Sequence, residues 1–184
     1  MKNCHILLSE SFTYISLFEK ILERKFNLQK VSIKELIKNS LSDLSDNYLS
    51  KKVKSYIQSG ELIPTELITK VLINEIASIQ KGILIIDYPK TKEQYFHLEK
   101  SLDQQDIQIE KLWILQLNNI DKILSEERDE KTRKRIIERF ELLKIRNKKI
   151  EETVNKNTTV IKINFDYYKD WNEEEMEKLI SNNL

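Results

Sequence analysis

Short apolar runs alternate along this chain with stretches in which apolar residues recur every three or four positions. The runs at residues 5–8, 30–31, 83–86, 111–117 and 159–163 are apolar or β-branched. They are of strand length and too short to be helices. Between them the period is helical. Over residues 64–80, Leu67, Ile68, Val71, Leu72, Ile76 and Ile79 form one apolar stripe, and Pro64 suits the first helical turn. A long helix is predicted over residues 131–154, with Ile136, Phe140, Leu143, Ile150 and Val154 on a seam that Asn147 interrupts. Strands joined by helical crossovers of this length imply a parallel sheet covered on both faces. The expected fold class is therefore α/β, a five-stranded parallel sheet with helices on both faces, in a single domain over residues 1–184.

Composition narrows the classes of function. Forty per cent of the 184 residues are hydrophobic and no glycine- or proline-rich linker divides them, which suits one domain with a proper core. The formal charge of +1, from 31 basic and 30 acidic residues, gives no overall field for nucleic acid or an anionic membrane. The lone cysteine, Cys4, lies in the first strand and is expected to be a small buried group in an intracellular, reducing compartment, most simply the cytoplasm. No apolar run reaches bilayer length, and the opening residues do not read as a signal peptide. His5 sits in a strand and His97 in a helix, neither near a Ser or Cys nucleophile in sequence, so no hydrolase triad or metal-ligand cluster emerges.

Two segments carry a family likeness. SGELIPTELI at residues 59–68 and GILIIDYPKTKEQ at residues 82–94 resemble the signatures of adenylate kinases and related nucleoside-monophosphate kinases. In that family a G-x-L-V-P turn precedes a helix, and a buried strand runs into D-G-F-P-R-T-x-x-Q. Counted from the first strand, Ser32 falls without a gap where the family's Ser-Thr-Gly-Asp segment begins. The resemblance implies a P-loop kinase scaffold with a helical monophosphate-binding arm over about residues 33–62.

The phosphate-binding loop of that family should occupy residues 9–17, SESFTYISL, and its parts are missing. By the alignment the loop glycines fall on Ser9, Phe12, Tyr14 and Ser16, the lysine on Ile15 and the following threonine on Leu17. Glycines let the backbone N–H groups wrap the phosphates, the lysine adds a point charge, and the hydroxyl holds magnesium. Aromatic and aliphatic side chains do none of this, and are expected to fill space under the first helix instead. The family's strand-ending Asp aligns with Ile86, and Asp87 comes one residue later. A shift of one residue sends a strand side chain to the other face, unless a bulge re-aims it.

The lid segment of the family is also absent by this alignment. Residues 129–136, DEKTRKRI, resemble the stretch just after it, so that Arg133 and Arg135 match two family arginines and Arg135 the catalytic one, with Arg128 a counterpart before the lid. The monophosphate pocket is eroded less. Ile33, Lys38, Lys90 and Gln94 take the places of a Thr, two Arg and an adenine-reading Gln, while Gly60, Leu62 and Ile63 keep the turn that frames the base. Lysine keeps the charge of arginine and loses its planar two-pronged grip. The same residues also suit purely local roles, Gly60 in a turn and Pro89 and Thr91 at a helix start.

The resemblance with these losses implies a catalytically inactive relative that acts as an interaction or structural subunit of a protein assembly. The alternatives are a nucleoside-monophosphate sensor and a divergent active kinase. No cofactor is expected beyond a weakly held AMP-type nucleotide, and no metal. Protein partners are expected, and the basic cluster on residues 131–149 is the densest in the chain.

Overall fold

Alternate residues of the first strand enter two different apolar layers, and the rest of the architecture follows from that. The computed structural model describes residues 2–10, 15–41, 48–127, 129–166 and 168–184. Five strands, β1 (Lys2–Ser9), β2 (Leu28–Ser32), β3 (Gly82–Ile86), β4 (Ile107–Asn118) and β5 (Thr159–Asp166), form one all-parallel sheet in the order β2-β3-β1-β4-β5. Every strand expected from the hydrophobic pattern is present, each of them longer than its apolar run.

On one face, Cys4, Ile6 and Leu8 of β1 pack with Ile83 and Ile85 of β3. Over them lie α4 (Thr65–Ala77), α5 (Lys92–Asp103) and α7 (Glu130–Glu151). On the other face, Leu7, Leu84 and Trp113 meet α1 (Ile15–Phe26) and α8 (Glu173–Ser181) through Phe18, Ile21, Leu22, Met176 and Ile180. The period of two along β1 thus dictates both layers. Gly82 starts β3 where the chain passes close to β2, since a Cβ there would lie 2.6 Å from the Leu28 side chain.

The arm contains α2 (Ile33–Leu41) and α3 (Tyr48–Ser59), which pack on α4 through Ile33, Ile37, Val53, Ile63 and Ile68. After β4 comes α6 (Ile120–Glu126), and only residues 127–129 separate it from α7, so no lid is inserted. Pro64 stands just before α4 rather than in its first turn. In α7 the seam is not interrupted as the pattern suggests. Asn147 is buried with Phe140 and Ile150; its Oδ1 accepts from the Arg146 guanidinium, while its Nδ2 is buried without a hydrogen-bond partner. Among the described residues, no helix is long and apolar enough to cross a membrane.

Candidate functional site

In open parallel sheets ligands bind beyond the carboxyl ends of the strands, where neighbouring connections diverge. Here β1 is that point, since the chain leaves it toward β2 on one side and returns from β3 to β4 on the other. A cleft of about 440 Å³ opens there. Leu7, Ile15, Ile33, Ile37 and Ile86 make its floor apolar, and Ser9, Ser32, Glu19, Lys34, Asp87 and Lys90 supply its polar rim.

Backbone geometry explains how both Ile86 and Asp87 reach the cleft. Asp87 has φ +52°, and its N–H donates to the Leu7 carbonyl at 2.9 Å. Left-handed backbone at the strand end, tolerated by Asp better than by most residues, turns the carboxylate toward the opening without a bulge. The carboxylate is then engaged. Arg146 Nη1 donates to Asp87 Oδ1 at 2.5 Å, and Lys90 Nζ lies 3.6 Å from Oδ2. The Arg146 side chain, only 11% exposed, also donates through Nη2 to the Ser9 carbonyl at 3.2 Å. One guanidinium from α7 therefore ties together the ends of the two central strands.

Two further carboxyls belong to the segments that follow β1. Glu10 is buried directly after β1, and its Oε2 accepts from the Leu117 N–H at 3.3 Å. Glu19 on α1 pairs with Lys30 at 3.3 Å. Burial raises both carboxyls above the ordinary range, against the pull of those partners. Of these two carboxyls only Glu19 lines the cleft, so among the described residues Glu19 and Asp87 are the acid groups on its rim.

Adenylate kinases are among the proteins this chain is similar to. It is 31% identical to that of Wolbachia (strain wRi, from Drosophila simulans) over 85 residues, covering 46% of this chain and 39% of the relative. It is 29% identical to that of Thermococcus sibiricus over 90 residues, 49% of this chain and 39% of the relative. With that of Campylobacter curvus it shares 38% identity over 63 residues, 34% of each. The chain is adenylate-kinase-like. The matches to the first two span about two fifths of the relatives' own length. No family model matches the chain.

Within this adenylate-kinase-like frame the residues expected from the sequence separate into groups. Ser9, Ile15 and Lys90 line the cleft together with Ile33. Ser16 is exposed on α1, and Leu17 packs against the layer under that helix. Phe12, Tyr14 and Arg128 lie outside the described residues. Lys38 is exposed on α2 away from the cleft lining. Gly60, at φ +72°, closes α3, its N–H donating to the Ile57 carbonyl, the position where a left-handed glycine ends a helix. Leu62 is 94% exposed, and Ile63 joins the interior of the arm. Gln94 spends its side-chain oxygen on the Lys90 N–H at 2.8 Å while its own N–H bonds Thr91 Oγ1. Arg133 donates through Nη2 to the Glu127 carbonyl at 2.6 Å, and its Nε is buried without a hydrogen-bond partner. Arg135 is exposed on α7.

Arg146, Glu10, Glu19 and Lys34 were not singled out from the sequence as site residues. Arg146 carried a usable signal, because it lies three residues after Leu143 and four before Ile150, on the seam side of α7. A cation there requires a buried partner. Glu19 stands four residues after Ile15, on the same face of α1.

Proposed function

We propose that this chain is a nucleotide-kinase-like protein that no longer transfers phosphoryl groups and serves as a subunit of a protein assembly. The Arg146 bridge carries this reading. Phosphoryl transfer needs donors and a lysine around the phosphates and a metal ion held near a carboxylate. Ile15 and Ile86 present hydrocarbon at the corresponding places of the cleft. Asp87, the carboxylate best placed for magnesium, already faces Arg146 and Lys90. Recruiting it for a metal would take that carboxylate from a nearly enclosed guanidinium, at a cost of about 1 kcal/mol because solvent screens the half-exposed Asp87. Among the described residues, no group of three or more His, Cys, Asp or Glu is arranged to hold a metal ion. A metal of the kind the family's chemistry uses would thus find its best-placed described carboxylate already paired.

A second reading, a monophosphate sensor, rests on the cleft itself. Its size suits a small ligand, and Lys34 and Lys90 stand on its rim. Glu19 and Asp87 on the same rim oppose a phosphate.

Purified protein with ATP, magnesium and AMP should give no phosphoryl transfer above the blank at high protein concentration. Thermal midpoints should not move with ATP and magnesium, since a bound ligand would stabilise by mass action. Magnesium-dependent turnover overturns the inactive reading. A shift with AMP alone that Lys90→Gln removes would replace the leading reading by the sensor.

A further inference from the structure

Of the 22 residues of α7, only Phe140, Asn147 and Ile150 are buried, so a long helix turns most of its circumference to solvent. That outer surface is not simply hydrophilic. Leu142 is 67% exposed, Ile145 48% and Ile137 41%. Leu142 and Ile145 are one turn apart, and at 100° per residue Ile145 lies nearly opposite the buried seam. Lys149 follows Ile145 by another turn, and Lys134 and Arg135, both exposed, extend the same side toward the helix start. The helix holds nine basic and four acidic residues. Its excess of five positive charges in a chain of net +1 leaves the remainder at −4.

We propose that this outer face of α7 is a docking surface for an acidic amphipathic helix of another protein. The inference rests on the assembly part of the reading above and supplies its contact surface. Apolar side chains at one-turn spacing are matched by the apolar stripe of a partner helix, while lysines and arginines beside them face carboxylates. Charge complementarity of this kind sets orientation and speeds encounter. The same residues disfavour the other anionic partners. RNA offers no hydrocarbon for Leu142 and Ile145, and the exposed residues of this face include no aromatic side chain to stack on bases. An anionic membrane would have to accept Glu138 and Glu141, which share the exposed side, and Glu138 is already set 4.0 Å from Lys134. A protein helix can place a basic residue against each of them.

The test uses the full chain and a labelled peptide of roughly three heptads, with leucine at the a and d positions and glutamate at the flanking ones. Anisotropy should show saturable binding that weakens with salt. The double variant Leu142→Asp with Ile145→Asp should weaken it by about tenfold or more without moving the thermal midpoint. Lys134→Glu with Lys149→Glu should also weaken it, and should create binding to the peptide with lysine in place of glutamate. No saturable binding, or equal binding by either variant, overturns the proposal. So does a surface that instead takes polyuridine RNA or phosphatidylserine vesicles through Leu142 and Ile145. None of these readouts involves nucleotide, so an active kinase would overturn the previous reading and leave this one standing.

Discussion

Midway along β1, β3 and β4 the side chains are apolar or aromatic and fully enclosed, whereas at the carboxyl ends of β1 and β3 they are ionic, hydroxylated or face a cleft. Leu84, Ile85 and Trp113 belong to the first region; Ser9, Ile86 and Asp87 belong to the second. The difference shows two demands on one sheet. Its interior has to exclude water, and any hydrophobic set of the right size and period meets that demand. Its carboxyl ends open on a cleft instead, and there hydrocarbon and hydroxyl groups lie beside an internal ion pair.

Trp113→Ala should produce the largest effect and so measures the first region. Trp113 is fully enclosed, with ring centroids 5.6 Å from Phe26 and 6.1 Å from Phe18. Removing an indole from such a site costs about 3–5 kcal/mol. That is a large part of the 5–15 kcal/mol typical of a domain, approximately. Ile86→Ala at the strand end should cost under about 2 kcal/mol, since that side chain borders an open cleft. Urea unfolding of both variants gives the contrast; equal costs would mean that the middle of the sheet and its carboxyl ends are packed alike.

What could be read from the sequence divides along the same line. Alternation in β1 and the helical stripe of α4 are local consequences of burial, so the strands, the helices and the parallel arrangement were all legible. That residues 9–17 hold no glycine and no lysine is legible too, because it concerns residue identity alone. The Arg146 bridge was not, for it joins residues 59 and 137 positions apart in the chain. Nor was Asp87's orientation, which depends on a backbone angle rather than on strand alternation. Gln94, which the resemblance makes a reader of adenine, gives its side-chain oxygen to the Lys90 N–H, a local role that the same sequence spacing equally permits.

A buried histidine offers the next test of the interior. His5 Nδ1 accepts from Trp113 Nε1 at 3.3 Å, which fixes the neutral ring with its proton on Nε2, 3.6 Å from Glu110. Burial lowers its pKa from 6.5 to about 4; Glu110 opposes this shift and Lys111 reinforces it. The unfolded chain therefore binds a proton between those values while the folded one does not. The stabilisation of neutral His5 is complete above pH 6.5 and is lost as pH falls toward 4, on the order of 3 kcal/mol. Glu10 and Glu19 act in the opposite sense, because their raised values make the fold the better proton acceptor above the ordinary carboxyl range. Subtracting the unfolding profile of His5→Gln from that of the native chain isolates the histidine. A flat difference between pH 4 and 6.5 would show that water reaches the ring.

The smallest effect concerns the strand ends and tells most about function. Arg146→Met should cost about 2 kcal/mol, since it removes the guanidinium that satisfies Asp87, the Ser9 carbonyl and Asn147 Oδ1 together. Asp87→Asn should cost about 1 kcal/mol, because Asn also tolerates positive φ and keeps a hydrogen bond. The Asp87 side chain is 45% exposed, so solvent screens the pair and the full cost of breaking a buried ion pair does not apply. A double-mutant cycle should then give a coupling near 1 kcal/mol that shrinks with added salt. Coupling of that size means that any cation entering the cleft must compete with Arg146 for Asp87, as the proposed inactivity requires. A coupling near zero would mean that α7 holds Arg146 in place unaided. Asp87 would then be open to a metal ion, and the proposed inactivity would lose its support at the strand ends.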